Sequence, residues 1–307
     1  MLTRTIPLLV LVLGVWLAYP FTKPKEEEEY VFGFLPDYRF DSADFEFMAS
    51  RVTHLCLFGS EADPMTGKVV VRLPSAEHLR LLQTKSRLKL FLGLGGAGRS
   101  DFFTQICSSR VKLARFKLDL EQKAGEGTFA GVELNWMFPR SPNEFKCLGE
   151  LVGYLKQDLG LEVSMSLPPD LTYCAHVAQS IAHPGLDLVH IMMYQLEIGP
   201  GGLSKIEHLA KQIVHKFVNT STRVTLGLPF YSSQGQSYED SLSSKAVGEK
   251  IESAQLLLKK RAMAKRLGLC GVAIWELGQD CRPRAIGPHK QTCPRGQLDS
   301  LLFQITS

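Results

Sequence analysis

The chain has 307 residues, 45% of them hydrophobic and 21% charged, with a formal net charge of +4 at pH 7. This is an ordinary globular composition with enough apolar residues for a sizeable core, and the length suits either two small domains or one large α/β barrel. The charge is too small and too scattered to support nucleic-acid binding, and the one basic run, Lys259-Lys260-Arg261 with Lys265-Arg266, falls at helical spacing and reads as a solvated face.

The N-terminus carries its own signal. Met1 to Arg4 is positively charged and Ile6 to Phe21 is nearly pure apolar sequence, as in a signal-peptide core or a short anchor. No small-residue cleavage pattern stands around Trp16-Leu17-Ala18-Tyr19-Pro20, so a removed signal peptide and an uncleaved anchor inserted through residues 5–21 both stay open. Either route leads into the secretory pathway, to a secreted or a membrane-anchored protein. The expected layout is a signal or anchor at 1–22, a charged linker at 23–29, a barrel at 30–285 and a C-terminal tail at 286–307.

From residue 30 short apolar runs alternate with helical patterns. The runs are Tyr30–Phe34, Val52–Phe58, Leu88–Leu94, Gly131–Trp136, Leu161–Leu167, Leu186–Tyr194, Arg223–Leu228 and Gly271–Leu277. Near-continuous apolar runs bounded by Gly, Pro and Asp predict parallel strands covered on both faces. Between them, Leu203, Ile206, Leu209, Ala210, Ile213 and Phe217 share a helical face. Phe103, Ile106, Val111, Leu113, Phe116 and Leu120 do so more loosely. Ser141-Pro142-Asn143-Glu144 predicts a capping box with Pro at the first helical position. Strand then helix, eight times over, predicts a single (β/α)8 TIM barrel, with an open doubly wound sheet as the alternative. Chemistry is then expected at the strand ends Gly95-Gly96, Met137, Leu167-Pro168, Tyr194-Gln195, Pro229–Tyr231 and Trp275-Glu276.

Other motifs carry less. Gly93-Leu94-Gly95-Gly96-Ala97-Gly98 satisfies a dinucleotide pattern, but the acid expected about twenty positions on is Asp119, inside a helical stretch, so a tight strand-to-helix turn is the preferred reading. His176, His183 and His190 form no ligand set, and His190, alternating with Met192 and Tyr194, reads as a core histidine. No metal or cofactor is expected. Ser232-Ser233 lacks an assignable His and Asp partner for nucleophilic catalysis. Seven cysteines leave at least one without an intramolecular partner. Cys281 and Cys293 flank a Pro- and Gly-containing tail and could close a short loop, while Cys56 and Cys270 read as buried small hydrophobes. Asn219-Thr220-Ser221 is a glycosylation sequon following a helix.

Laid side by side, the strand ends resemble glycoside hydrolase family 18, the chitinases and chitinase-like lectins. The fourth strand of that family carries D-x-x-D-x-D-x-E followed by Tyr-Pro, and here Ala130, Glu133, Asn135, Met137, Phe138 and Pro139 stand in those places. Val52-Thr53-His54-Leu55, Leu92–Gly96, Met192-Met193-Tyr194-Gln195, Gly227–Tyr231 and Gly271–Asp280 resemble further strands, so the likeness covers about residues 30 to 285. About forty residues between Tyr231 and Gly271 leave no room for a sizeable insertion domain. The resemblance implies substrate-assisted hydrolysis in which the strand-four Glu protonates the leaving oxygen, the neighbouring Asp steadies the acetamido group that attacks, and a Tyr holds it. Met137 has no proton to give and Asn135 no charge, so no catalytic residue is assigned and the protein is expected to be a pseudoenzyme. Glu133 lies four residues below Met137, roughly 13 Å by strand rise, and cannot replace it. Glu276 is expected to point away from the cavity, and Asp187 to lie on the stability face. Asn135, Met137, Tyr194, Gln195, Tyr231 and Trp275 are the expected ligand-binding residues, for an N-acetylglucosamine-containing oligosaccharide. The alternatives are a scaffold that meets a protein partner without any sugar, and a hydrolase with a relocated acid.

Overall fold

The computed structural model describes residues 29–124, 127–181, 185–194, 201–235, 251–280 and 300–307. Eight parallel strands form the barrel: β1 (Tyr30–Pro36), β2 (His54–Ala62), β4 (Lys89–Gly95), β5 (Gly131–Asn135), β6 (Glu162–Leu167), β7 (Leu188–Ile191), β8 (Arg223–Pro229) and β9 (Gly271–Trp275). Each pairs with the next, and β1 pairs with both β2 and β9, which closes the sheet on itself. Closure leaves no unpaired edge. The ninth strand, β3 (Val69–Val70), is a short antiparallel return on the end of β2 that the apolar pattern does not reveal, being two residues long.

A helix follows each barrel strand, and several helix starts are set by a local side chain. Asp44, Ser75, Asp170, Ser253 and Ser300 each accept a backbone N–H of the first turn, and Ser141 with Glu144 forms the expected capping box ahead of Pro142. The expected helix over Gly202–Phe217 is present, with Ile206, Ala210, Ile213 and Phe217 buried. The looser pattern from Phe103 to Leu120 is two helices, Asp101–Cys107 and Arg110–Ala124.

The structure departs from the sequence pattern in two places. The C-terminal segment is not a tail throughout: Leu301–Thr306 is a helix with Leu301, Leu302 and Ile305 buried, and Asp280, just past the short helix Leu277–Gln279 that follows the last strand, accepts from the backbone of Leu301 (2.6 Å) and Leu302 (2.8 Å). The barrel therefore extends past residue 285. The basic run on helix Ala254–Arg266 is not wholly solvated either, since Lys260 is 0% exposed. Its neighbour Arg261 is half-buried, holding Glu29 through two hydrogen bonds (2.9 and 3.1 Å) and the carbonyl of Ile305. Helical periodicity places a residue on a face but does not say which long side chains turn inward.

The core has two parts. The larger lies between strands and helices; the smaller fills the barrel with Phe32, Phe34, Cys56, Phe58, Phe91, Leu188 and Ala273, against which Trp275 packs. Closure depends on Gly271. A Cβ there would lie 1.9 Å from the carbonyl oxygen of Tyr30, its partner in β1. Gly271→Ala is expected to destabilise the fold by about 3 kcal/mol, read as a lowered denaturant midpoint.

Candidate functional site

Inward positions along the strands converge on one carboxyl group. Glu133 on β5 is 0% exposed, yet it accepts from the hydroxyls of Ser164 and Ser166 (2.7 Å) on β6 and from Nδ2 of Asn135 (3.2 Å). Burial pushes its pKa up, and those three donors oppose the rise. The donors also orient Asn135. With Nδ2 committed to the carboxylate, Oδ1 is turned the other way, and this buried acceptor has no partner among the described residues. Beside the carboxylate stands His190 on β7, as expected a core histidine: Nδ1 is 2.7 Å from Thr225 Oγ1, Nε2 is 3.7 Å from Glu133 Oε2, and the ring centroid is 4.1 Å from Phe32. His54 on β2 also stacks on Phe32 (5.7 Å between centroids), with Nδ1 2.8 Å from Thr53 Oγ1. Burial lowers both imidazoles to about 3.

Met137 follows β5 at the barrel mouth, half-buried. The Met137–Phe138 and Trp275–Glu276 peptides are cis. Three ties, about one per helical turn, fasten the Met137 segment to the neighbouring helix. Ser100 Oγ accepts from the Met137 N–H (3.2 Å), Thr104 donates to Glu144 (2.6 Å), and Cys107 is joined to Cys147 by a disulfide across 40 residues. Sequence reasoning missed this disulfide, because both cysteines sit on amphipathic helices whose juxtaposition only the closed barrel creates. Cys281 and Cys293 lie outside the described residues. Cys56 is buried as expected, with its thiol pushed well up by burial.

The glycine turn after β4 serves packing. Gly95 and Gly96 adopt positive φ (91° and 108°), the N–H of Gly96 donates to the Asn135 carbonyl (2.8 Å), and a Cβ on Gly96 would meet the Phe58 ring at 2.7 Å. Asp119 is occupied elsewhere, accepting from the Val69 N–H and pairing with Lys123.

Across the mouth, Tyr194 and Tyr231 meet edge to face at 6.0 Å, both half-buried, their phenols held above the usual range chiefly by burial. Tyr194 fits because position 227 is glycine: a Cβ there would be 2.9 Å from its ring. Gln195 lies outside the described residues, and Ala130 precedes β5 without a carboxyl to offer. Trp275 is half-buried, packed against Phe34 (5.5 Å) and Phe58 (5.1 Å). Glu276 faces Arg39 (3.0 Å) and the Gly278 N–H (2.8 Å), so both its oxygens are engaged in structure. Asp187, at the opposite end of the barrel, pairs with Lys156 and accepts from the Val163 N–H. One rim cluster escaped sequence reasoning: Asp37 at the end of β1 is gripped by Arg99 (3.1 Å) and Arg72 (3.5 Å). Nothing in the local pattern links residues 37, 72 and 99 until strands β1, β2 and β4 lie side by side. Chemically, the described residues of the mouth offer a buried acceptor, two phenols and aromatic faces, and Glu133 and Glu276 are each engaged by donors.

No protein-family model and no curated protein matches the sequence. Solved structures do match the fold. The GH18 chitinase ChiB of Flavobacterium johnsoniae superposes with a TM-score of 0.64 at 18% identity, covering 91% of this chain and 93% of that one. The chitinase-like agglutinin of Robinia pseudoacacia gives 0.61 at 19%, covering 81% and 95%. The Ostrinia furnacalis Group IV chitinase in complex with allosamidin gives 0.64 at 14%, covering 82% and 93%. The chain has the GH18 chitinase-like fold, a single (β/α)8 barrel.

Two outcomes follow from the interior and its ties. A histidine whose pKa falls from 6.5 unfolded to about 3 folded makes the unfolded state bind more protons in between, so stability falls as pH drops through that window. Glu133, raised by burial, works in the opposite sense. Urea titrations should show a shallower dependence of stability on pH below 6.5 for His190→Gln than for the parent. Replacing Cys107 and Cys147 together by Ser should cost about 4 kcal/mol in denaturant unfolding, the loop-closure value for a crosslink of this span.

Proposed function

We propose that this protein is a catalytically inactive chitinase-like lectin that binds an N-acetylglucosamine-containing oligosaccharide at the barrel mouth. The observation that carries the reading is Asn135. Its Oδ1 is an unsatisfied acceptor in a residue only 2% exposed, and leaving such an atom unpaired costs about 1–3 kcal/mol. An acetamido N–H is a donor of the right kind, and the phenols of Tyr194 and Tyr231 with the indole of Trp275 are surfaces on which a sugar ring stacks. The agglutinin among the matched structures, named chitinase-like, supports a lectin built on this fold.

Inactivity rests on chemistry. Met137 has no proton to give, Glu133 is enclosed by three donors and Glu276 is paired with Arg39. The reading includes entry to the secretory pathway, either with the apolar segment removed or with residues 5–21 retained as an anchor. No helix among the described residues is long and apolar enough to cross a membrane, and residues 5–21 lie outside them. Asn219, exposed in the turn after helix Gly202–Phe217, is the proposed glycan acceptor.

A second reading has its own support. Trp275 packs on Phe34 and Phe58, as an indole that simply fills the barrel would, and a scaffold presenting its surface to a protein partner needs no more. Thermal unfolding with penta-N-acetylchitopentaose separates the two, since a ligand at a hundred times its Kd adds about 2.7 kcal/mol. The lectin reading expects a rise in Tm that Trp275→Ala and Asn135→Ala reduce; no shift at millimolar sugar favours the scaffold. A fluorogenic chitotrioside should not be turned over. Turnover abolished by Glu276→Gln or Glu133→Gln would overturn inactivity.

A further inference from the structure

Beneath the two tyrosines of the mouth lies an ion pair with no access to water. Lys260 on helix Ala254–Arg266 is 0% exposed and Glu252, just before that helix, is 1% exposed. The ammonium lies 2.6 Å from the Glu252 carboxylate and donates to the carbonyl oxygen of Met193 at 2.8 Å. Burial pulls the lysine pKa down and the carboxylate opposes this.

A buried pair of this kind is a poor source of stability, because desolvating two charges cancels much of their attraction, and apolar replacements of similar volume are often neutral or better. Its location suggests another use. Strand β7 ends at Ile191, and the chain then leaves the sheet. The N–H of Met192 still reaches Leu167 O, and that of Met193 turns back onto Ile191 O. The Met193 carbonyl belongs to the peptide that leads into Tyr194, and Lys260 supplies its donor. The Glu252 carboxylate balances that ammonium at 2.6 Å. Tyr231 meets the Tyr194 ring edge on.

We infer that Lys260, charge-balanced by Glu252, is a positioning residue for the mouth, fixing the Met193–Tyr194 peptide so that the Tyr194 phenol is set for a ligand. The inference rests on the lectin reading for what that phenol meets, while the positioning of Tyr194 does not. A structural role alone would tie helix Ala254–Arg266 to the barrel and leave Tyr194 unaffected by its loss.

The test replaces both charges at once, Lys260→Met with Glu252→Leu, to avoid stranding one of them. The double variant should fold with a Tm near that of the parent and bind penta-N-acetylchitopentaose about tenfold more weakly by calorimetry. In a Tyr194→Phe background the double replacement should add little further loss, since both act through one phenol. A readout independent of sugar is the 19F resonance of Tyr194 in protein labelled with 3-fluorotyrosine, assigned by its disappearance in Tyr194→Phe; the double variant should shift or broaden it. An unchanged resonance overturns the inference, as does a moved resonance with unaltered affinity. A moved resonance in a protein whose parent binds no chitooligosaccharide upholds the positioning and removes the lectin reading.

Discussion

A carboxyl group at 0% exposure, in the middle of a barrel lined by Phe32, Phe34 and Phe91, constrains everything around it. Charge in such a place is tolerated only where donors meet it. Ser164 and Ser166 on the adjacent strand and Asn135 two residues along its own strand meet that need, and the register of β5 against β6 brings them together, Glu133 opposite Ser164. The same requirement turns Asn135 so that its oxygen is left over. The unsatisfied oxygen of Asn135 is thus a by-product of satisfying a carboxyl group deeper in the barrel.

Much of the architecture was legible because it rests on patterns a few residues long. Parallel strands buried on both faces leave apolar runs, and capping residues such as Ser141 with Glu144 mark helix starts, so the barrel could be read before any contact was known. The alternation on β5 also placed Glu133 and Asn135 inward correctly. What could not be read depends on which distant segments meet. Cys107 and Cys147 are far apart in sequence, as are Asp37 and Arg99, and each pair is brought together by barrel closure. Lys260 looked solvated because helical phase assigns a face, while the carbonyl that draws its ammonium inward is 67 residues away at the end of β7.

The two sides of the mouth are held by different means. On the β4–β5 side, a hydroxyl, a hydroxyl–carboxylate bond and a disulfide fasten the Met137 segment to its neighbouring helix. On the β7–β8 side the hold is electrostatic and buried, through Lys260 and Glu252. Between them the glycines at 95, 96 and 227 let rings and backbone approach where a side chain would intrude. A surface shaped this way presents its groups in fixed positions, which lowers the ordering cost of meeting a ligand.

Arg261 joins the beginning and the end of the described barrel, holding Glu29 with its guanidinium and the carbonyl of Ile305 with the same group. Both lie where strand β1 enters and the last helix finishes, on the floor of the barrel, across its full depth from Trp275. The described chain therefore begins, at Glu29, on the face opposite the mouth. Cargo, surface or label attached there would hold the molecule from underneath, with the aromatic opening turned outward to whatever passes.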